Sequence, residues 1–272
     1  MKFLILLSYF NRPLLIRNTL QSIVDQTHKD WHLVLVDDCS PQPLEEIARD
    51  VLKDHWDHQV TFYRIDERSN GQSVFGAYFN KGIKENLDCD AAIMTSDDDA
   101  LLPDYLTNLT KWFCRHSNLA CWSQVHIYNP GFEDYHHVQN LNFHLNFPAQ
   151  ESFLRCRKDS TQVAWRTAIH APHGVWFPEA QTTALDAELY GGIDRYGPTP
   201  FSGLVGQSKG WHTRQASHLS IEEIWSGADI DLHGVRATTP AHLIKEMVGH
   251  YYLLGNISEA ERIAGLYKQQ AN

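Results

Sequence analysis

Two periods alternate along the first half of the chain. Lys2 to Ser8 form a continuous apolar run of strand length and Leu33 to Val36 another, the pattern of parallel strands covered on both faces. Between them Ile16, Leu20, Ile23 and Val24 share one helical face, with Asn11 the expected N-cap and Pro13 near the first turn. The alternation continues with a helix on Leu44, Ile47, Val51 and Leu52, a β-rich run from Val60 to Ile65, and a helix from Val74 to Ile83. A short strand from Ala91 to Met94, a helix carrying Leu102, Leu106, Leu109 and Phe113, and a strand from Ala120 to Tyr128 follow. This repetition predicts an α/β fold, a Rossmann-type open sheet that is mostly parallel.

The period is then lost. Residues 129 to 152, rich in Asn, His, Phe and Pro, read as a long loop over the sheet edge. Near the end, Ser220 with Glu223 and Ser258 with Glu261 make capping-box patterns, and Thr239-Pro240 resembles a cap followed by proline at the first helical position. Leu243, Ile244, Met247, Val248 and Tyr251 form an apolar helix face, and Gly255-Asn256 turns into a second helix. The expected organisation is an α/β domain over 1–218 and a C-terminal helical extension over 219–272, whose hairpin is a candidate homo-oligomer contact.

Composition narrows the function classes. With 272 residues and 43% hydrophobic content the chain can fill a packed core. A formal net charge of -10 argues against a sequence-independent grip on nucleic acid, which needs Lys and Arg on phosphates. Cys39, Cys89, Cys114, Cys121 and Cys156 are odd in number and form no CxxC pair, so a reducing, cytoplasmic setting is expected, with any membrane association peripheral. The N-terminal apolar run is broken by Ser8, Asn11 and Arg12 and reads as a buried strand, not a secretion signal.

Ligands of open α/β sheets bind beyond the carboxyl ends of the strands, and two acidic clusters fall there. Asp97, Asp98 and Asp99 follow a strand directly; packed carboxylates repel one another unless water or a hard cation compensates. Two readings follow, a divalent cation site holding a substrate diphosphate, and a solvated loop with a helix-capping Asp. Asp37-Asp38 precede the turn-forming Cys39-Ser40-Pro41, and their carboxylates either accept hydrogen bonds from a nucleotide's base or ribose or close an Asx-turn.

SYFNRP from Ser8, LQSIVDQTHKDWHLVLVDDCS from Leu20, NGQSVFGAYFNKGI from Asn70 and TSDDDALLPDYL from Thr95 together resemble the motifs of family 2 glycosyltransferases of the GT-A fold, in order over about a hundred residues. The resemblance implies that Ser8, Tyr9, Asn11, Arg12, Asp37 and Asp38 contact the nucleotide, that Asn70, Gly71 and Asn80 shape the nucleotide and diphosphate pocket, and that Asp97 to Asp99 hold the donor sugar and a Mn²⁺ or Mg²⁺ ion. Asp98 and Asp99 are the first choice as metal ligands. Ser96 stands where family members often carry an Asp.

The resemblance also implies a general base in an acidic-pair segment downstream; Leu185-Asp186-Ala187-Glu188 matches it, with Asp186 the choice and Glu179 and Glu188 its rivals. A late segment, Gly210 to Ser217, is similar to the family's His-containing one and offers His212 as a third metal ligand, with His218 as alternative, and Arg214 as a phosphate partner. Gln162-Val163-Ala164-Trp165-Arg166 resembles, in scrambled order, an element of processive synthases, and Trp165 and Trp176 read either as sugar-stacking platforms or as core residues.

The expected activity is a metal-dependent, inverting, non-processive transfer from a nucleoside-diphosphate sugar, a UDP-sugar first, to an acceptor the sequence does not encode. The alternatives are a nucleotidyltransferase on a related sheet and a non-catalytic nucleotide-sugar-binding protein.

Overall fold

The computed structural model describes residues 1–13, 15–41, 44–67, 75–97, 99–128, 151–152, 160–179 and 185–210. The chain divides into two compact units, one of Met1–His126 and Asn142–Lys209, the other of Ile127–Leu141 and Gly210–Asn272.

Strands β1 (Phe3–Tyr9), β2 (Trp31–Asp37), β3 (Val60–Arg64) and β4 (Ala91–Ser96) form a parallel block in the order β3-β2-β1-β4. Helices α1 (Leu15–Val24), α2 (Leu44–Leu52), the short α3 (Trp56–Gln59) and α4 (Phe75–Glu85) connect them. The sheet then continues through β8 (Val163–Arg166), β6 (Ala120–Tyr128), β9 (Thr199–Gly210) and β5 (Ala100–Leu101), with the two-residue β7 (Glu151–Ser152) beside β9. In this half β8 runs antiparallel to β4 and β6, and β9 antiparallel to β5 and β7. Helices α5 (Tyr105–Arg115) and α6 (Leu185–Ile193) complete the described elements.

Alternation along β1 separates two core layers. Phe3, Ile5 and Leu7 pack with α1, α2 and α5, while Leu4 and Leu6 pack with α4 and α6. All five are fully buried, which explains the unbroken apolar run; each such side chain contributes about 1.5–3 kcal/mol of transfer free energy. Because α1 and α2 cover one face and α4 the other, the connections diverge between β1 and β4, and an open crevice lies at such a switch point.

Two helix starts differ from the pattern reading. Ile16 N–H donates to the Arg12 carbonyl, so Arg12 and not Asn11 takes the cap position, which puts Pro13 at the first helical place. Asn11 instead adopts the left-handed region at φ 46°. Leu102 precedes α5: Pro103 disfavours helical geometry before it, and Leu102 N–H pairs with the Gly206 carbonyl at 3.0 Å. The C-terminal hairpin and most of the 129 to 152 loop lie outside the described residues.

Candidate active site

Parallel register brings three strand ends level. Ser8 stands between Val36 of β2 and Ser96 of β4, and Tyr9 pairs with Asp37, so the loops after β1, β2 and β4 leave the sheet side by side.

Direct bonds knit these loops together. Asp97, nearly buried, accepts from Arg12 Nη1 at 2.8 Å on one carboxylate oxygen and from Phe10 N–H at 3.0 Å on the other. Asp37, fully buried, accepts Ser40 N–H at 3.0 Å and Arg64 Nη1 at 2.9 Å, and Arg64 Nη2 reaches the Ser40 carbonyl. Ser40 Oγ accepts Asn11 N–H at 3.0 Å, and Asp38 N–H donates to the Tyr9 carbonyl. Asp37 thus ties down the turn at 37–40, its carboxylate on Ser40 N–H and its carbonyl on Cys39 N–H, with Cys39 at φ 54° inside it. Burial pushes the Tyr9 phenol up to about 12, helped by the charges of Asp97 and Asp37.

The acidic loop is held from below by α1, a feature the sequence reading missed. Thr19 Oγ1 donates to the Ser96 carbonyl, Leu101 N–H donates to Ser22 Oγ at 3.0 Å, and Gln26 Nε2 donates to the Leu102 carbonyl at 2.8 Å. Gln26 Oε1 accepts Leu106 N–H in return. The signal was visible: Thr19, Ser22 and Gln26 recur at helical spacing on the buried face, and buried polar groups must find partners. Asp99 closes the loop, fully buried, with its N–H on the Ser96 carbonyl at 3.1 Å.

Asp186 reaches this end of the sheet along α4. The segment from Trp176 to Pro178 runs against the helix from its last turn to its first. Lys84 Nζ lies 5.2 Å from the Trp176 ring centroid, Asn80 pairs with both backbone groups of Phe177 at 2.9 and 3.0 Å, and Gly76 lies against the Pro178 carbonyl. A Cβ on Gly76 would stand 2.0 Å from that oxygen and 2.9 Å from Leu185. Leu185, beside the first turn of α4, opens α6, and Asp186 follows half-buried, accepting Ala187 N–H at 2.8 Å. Since α4 begins at the carboxyl edge, α6 and Asp186 begin there too.

Asn80 and Trp176 are held by contacts along α4, and Trp165 takes the core reading of its two. Asn80 is a clamp on the 175–179 segment, its amide engaged by Phe177 and, at 3.4 Å, by Glu179. Trp176 sits at the far end of α4, against His170 with ring centroids 5.0 Å apart, and is not brought to the crevice. Trp165 is core, fully buried, its indole N–H donating to His170 Nε2 at 2.9 Å. His170 Nδ1 donates to the Val175 carbonyl, and burial drives this imidazole down to about 4. Asn70, Gly71, Asp98, His212, His218 and Arg214 lie outside the described residues. Among the described residues no three His, Cys, Asp or Glu side chains gather as a metal site, and Cys39, Cys89, Cys114 and Cys121 are free thiols. No helix among them is long and apolar enough to cross a membrane.

The family model of glycosyl transferase family 2 matches residues 4–177, which include the three strand ends and the acidic loop. The chain belongs to glycosyltransferase family 2. It is 26% identical over 188 residues to a teichoic acid poly(glycerol phosphate) polymerase of Staphylococcus epidermidis, a match over 68% of this chain but only 25% of that relative's length. Among solved structures, S. aureus TarS 1-349 in complex with UDP-GlcNAc aligns with TM-score 0.60 at 16% identity, over 93% of this family 2 chain and 73% of that one. The mannosyltransferase PcManGT from Pyrobaculum calidifontis, in complex with GDP-Man and Mn²⁺, aligns with TM-score 0.55 at 17% identity, over 98% and 75%. These likenesses carry the fold, and the expected GT-A-type α/β sheet is the one found.

Proposed function

We propose that this family 2 chain is a metal-dependent, inverting, non-processive glycosyltransferase that uses a nucleoside-diphosphate sugar, with residues 1–218 as catalytic domain and 219–272 as helical extension. The observation that carries the reading is the convergence at one sheet edge: the loops holding Asp38 and Asp97 to Asp99 leave in register, and α4 guides Asp186 to the same end.

The donor's nucleotide lies across the β1 and β2 loops, where Asp38 stands near the Tyr9 backbone and Asp37 keeps the turn rigid. UDP- and GDP-sugars are the donors to test, since TarS and PcManGT are complexed with UDP-GlcNAc and GDP-Man. The donor set suits a hard cation: carboxylate oxygens follow one another on a loop at the end of a parallel strand. Asp98 and Asp99 would hold Mn²⁺ or Mg²⁺, with His212 as third ligand, and the ion would offset charge on the departing diphosphate. Asp97, whose two oxygens accept from Arg12 and Phe10, positions that loop.

Transfer then needs one proton moved. The acceptor hydroxyl oxygen forms a bond to the anomeric carbon as the bond to the diphosphate oxygen breaks with its electron pair, and the hydroxyl proton passes to the Asp186 carboxylate. Single transfers also suit the fate of the 162–166 segment. Gln162 is tied to the Ser123 carbonyl, Trp165 is buried, and Arg166 binds the carbonyls of Phe113, His116 and Asn118. The nucleotidyltransferase alternative would need a free phosphate-binding cation in the first loop, and Arg12 there is paired with Asp97.

Release of nucleoside diphosphate from UDP-GlcNAc and GDP-mannose in Mn²⁺ tests the assignment. Asp186→Asn should lower turnover by about 10²–10⁴-fold with nucleotide-sugar affinity unchanged. Undiminished turnover in that variant would remove Asp186 from the reaction.

A further inference from the structure

We propose that Gln207 is a positioning residue for the acidic loop: it joins the two flanks of residues 97–99 and so holds their carboxylates at the spacing a divalent cation requires. The inference rests on the reading of that loop as a cation site.

The sheet leaves a gap where Gln207 enters. On one side β4 runs beside β1 as far as Ser96, but on the other β8 accompanies it only from Ala91 to Ile93. Past Ile93 the strand that delivers the acidic loop has lost one neighbour, and a side chain of β9 takes its place: Gln207 Nε2 donates to the Met94 carbonyl at 2.9 Å. The backbone of the same residue stands opposite Leu101 in the β5–β9 pair, with Ser208 opposite Ala100. Gln207 therefore grips the chain three residues before Asp97 and two residues after Asp99. Close packing fixes β9 at this point. Leu102 N–H donates to the Gly206 carbonyl at 3.0 Å, and a Cβ on Gly206 would stand 2.3 Å from the Tyr105 ring.

Stability does not account for this side chain. Gln207 is fully buried, and its Oε1 has no hydrogen-bond partner among the described residues. Burying half an amide unpaired is costly, and an apolar chain of the same length removes that cost while stranding the Met94 carbonyl, so the two effects offset in the fold. They do not offset in the loop. Hard cations set strict ligand geometry, and a site works only when its ligands are held to within roughly 0.5 Å. Thr19, Ser22 and Gln26 brace the loop from α1, and Gln207 adds the tie that spans it.

The test titrates Mn²⁺ into the full chain at fixed labelled UDP-GlcNAc or GDP-mannose, reads bound donor by equilibrium dialysis, and adds donor binding in EDTA and thermal melts without metal. Gln207→Met should raise the Mn²⁺ concentration for half-maximal donor binding at least about tenfold, the low end of the loss when support behind a metal ligand is removed, with melt and affinity in EDTA unchanged. Gln207→Asn, one methylene short of Met94, should raise it as far. Asn86→Leu removes another buried amide, bonded to the Gly82 carbonyl just past α4, and should move it less than about threefold. A shift below about tenfold in both Gln207 variants, an equal shift in Asn86→Leu, donor affinity lost equally in Mn²⁺ and EDTA, or melts lowered in step with affinity would each overturn the proposal. Wild type that binds neither donor in Mn²⁺ would instead overturn the cation-site reading itself, and the proposal with it.

Discussion

Arg12 and Asp97 leave the sheet on the loops of two neighbouring parallel strands, and their side chains meet at 2.8 Å with only 16% and 7% of their surface exposed. The pair ties together the loops after β1 and β4, where the helical connections diverge and ligands of open α/β sheets bind. Removing one partner from a nearly buried pair leaves the other charge without compensation. Arg12→Ala should therefore destabilise the protein by about 2–3 kcal/mol, somewhat below the roughly 3–5 kcal/mol of fully buried pairs because both groups keep some solvent. Asp97→Asn should cost less, since Asn retains an acceptor for Phe10 N–H and the stranded guanidinium is the more exposed partner. Urea denaturation of both variants gives the ordering; equal or reversed losses would contradict it.

Asn80 separates two accounts of α4. If its amide serves the 175–179 segment, Asn80→Ala strands both backbone groups of Phe177 and should cost about 2–6 kcal/mol, at roughly 1–3 for each buried group left unsatisfied. Turnover should fall as Asp186 loses its support, while nucleotide affinity holds. A selective loss of nucleotide affinity at unchanged stability would restore the pocket role that the motif resemblance implies.

Gly76 marks the closest approach of α4 to the chain that leads to Asp186. With the Pro178 carbonyl 2.0 Å from a built Cβ, Gly76→Ala must displace backbone and should destabilise by about 1–3 kcal/mol despite alanine's better helix propensity. A thermal melt reads it, and a stabilised variant would show that the segment yields freely.

His170 supplies a pH dependence with a defined sign. Its folded value, about 4, lies below the ordinary 6.5, because burial disfavours the imidazolium. Between those values the unfolded chain binds the extra proton, so stability rises with pH there and its contribution is lost as pH falls from 6.5 toward 4, with a limiting slope of about 1.4 kcal/mol per pH unit. His170→Gln removes this slope. The stability difference between wild type and variant should be largest near neutrality and shrink toward pH 5; a constant difference would exclude His170 as the source.

Much of this architecture was legible because its physics is local. The runs around Ile5 and Val34 are apolar on both faces, which only a covered parallel strand requires, and Ile16, Leu20 and Ile23 repeat at helical spacing. Of the antiparallel half only β6 was legible, over Ala120–Tyr128. In β8 four residues are too few for a period, and in β9 Pro200 and Gly203, the latter at φ 75°, interrupt the alternation. The site divides in the same way. Strand-end carboxylates could be located from the pattern, but the partners of Asp37 and Asp97 lie 27 and 85 residues away and depend on strand register. The contacts of Asn80 and Trp176 were out of reach for a related reason, since both follow from the path of 175–179 along α4, which no local spacing records.

Titration calorimetry of UDP-GlcNAc and GDP-mannose into the full chain, with Mn²⁺ and again with EDTA, for wild type and Asp98→Asn, bears most directly on the proposal that the edge formed by β1, β2 and β4 holds a nucleotide-sugar through a cation. The account predicts saturable binding of at least one donor in Mn²⁺, weakened at least about tenfold by EDTA and by the variant, the loss expected when a carboxylate that holds cation and diphosphate is removed. Binding of neither donor, or binding indifferent to both metal and Asp98, would contradict it.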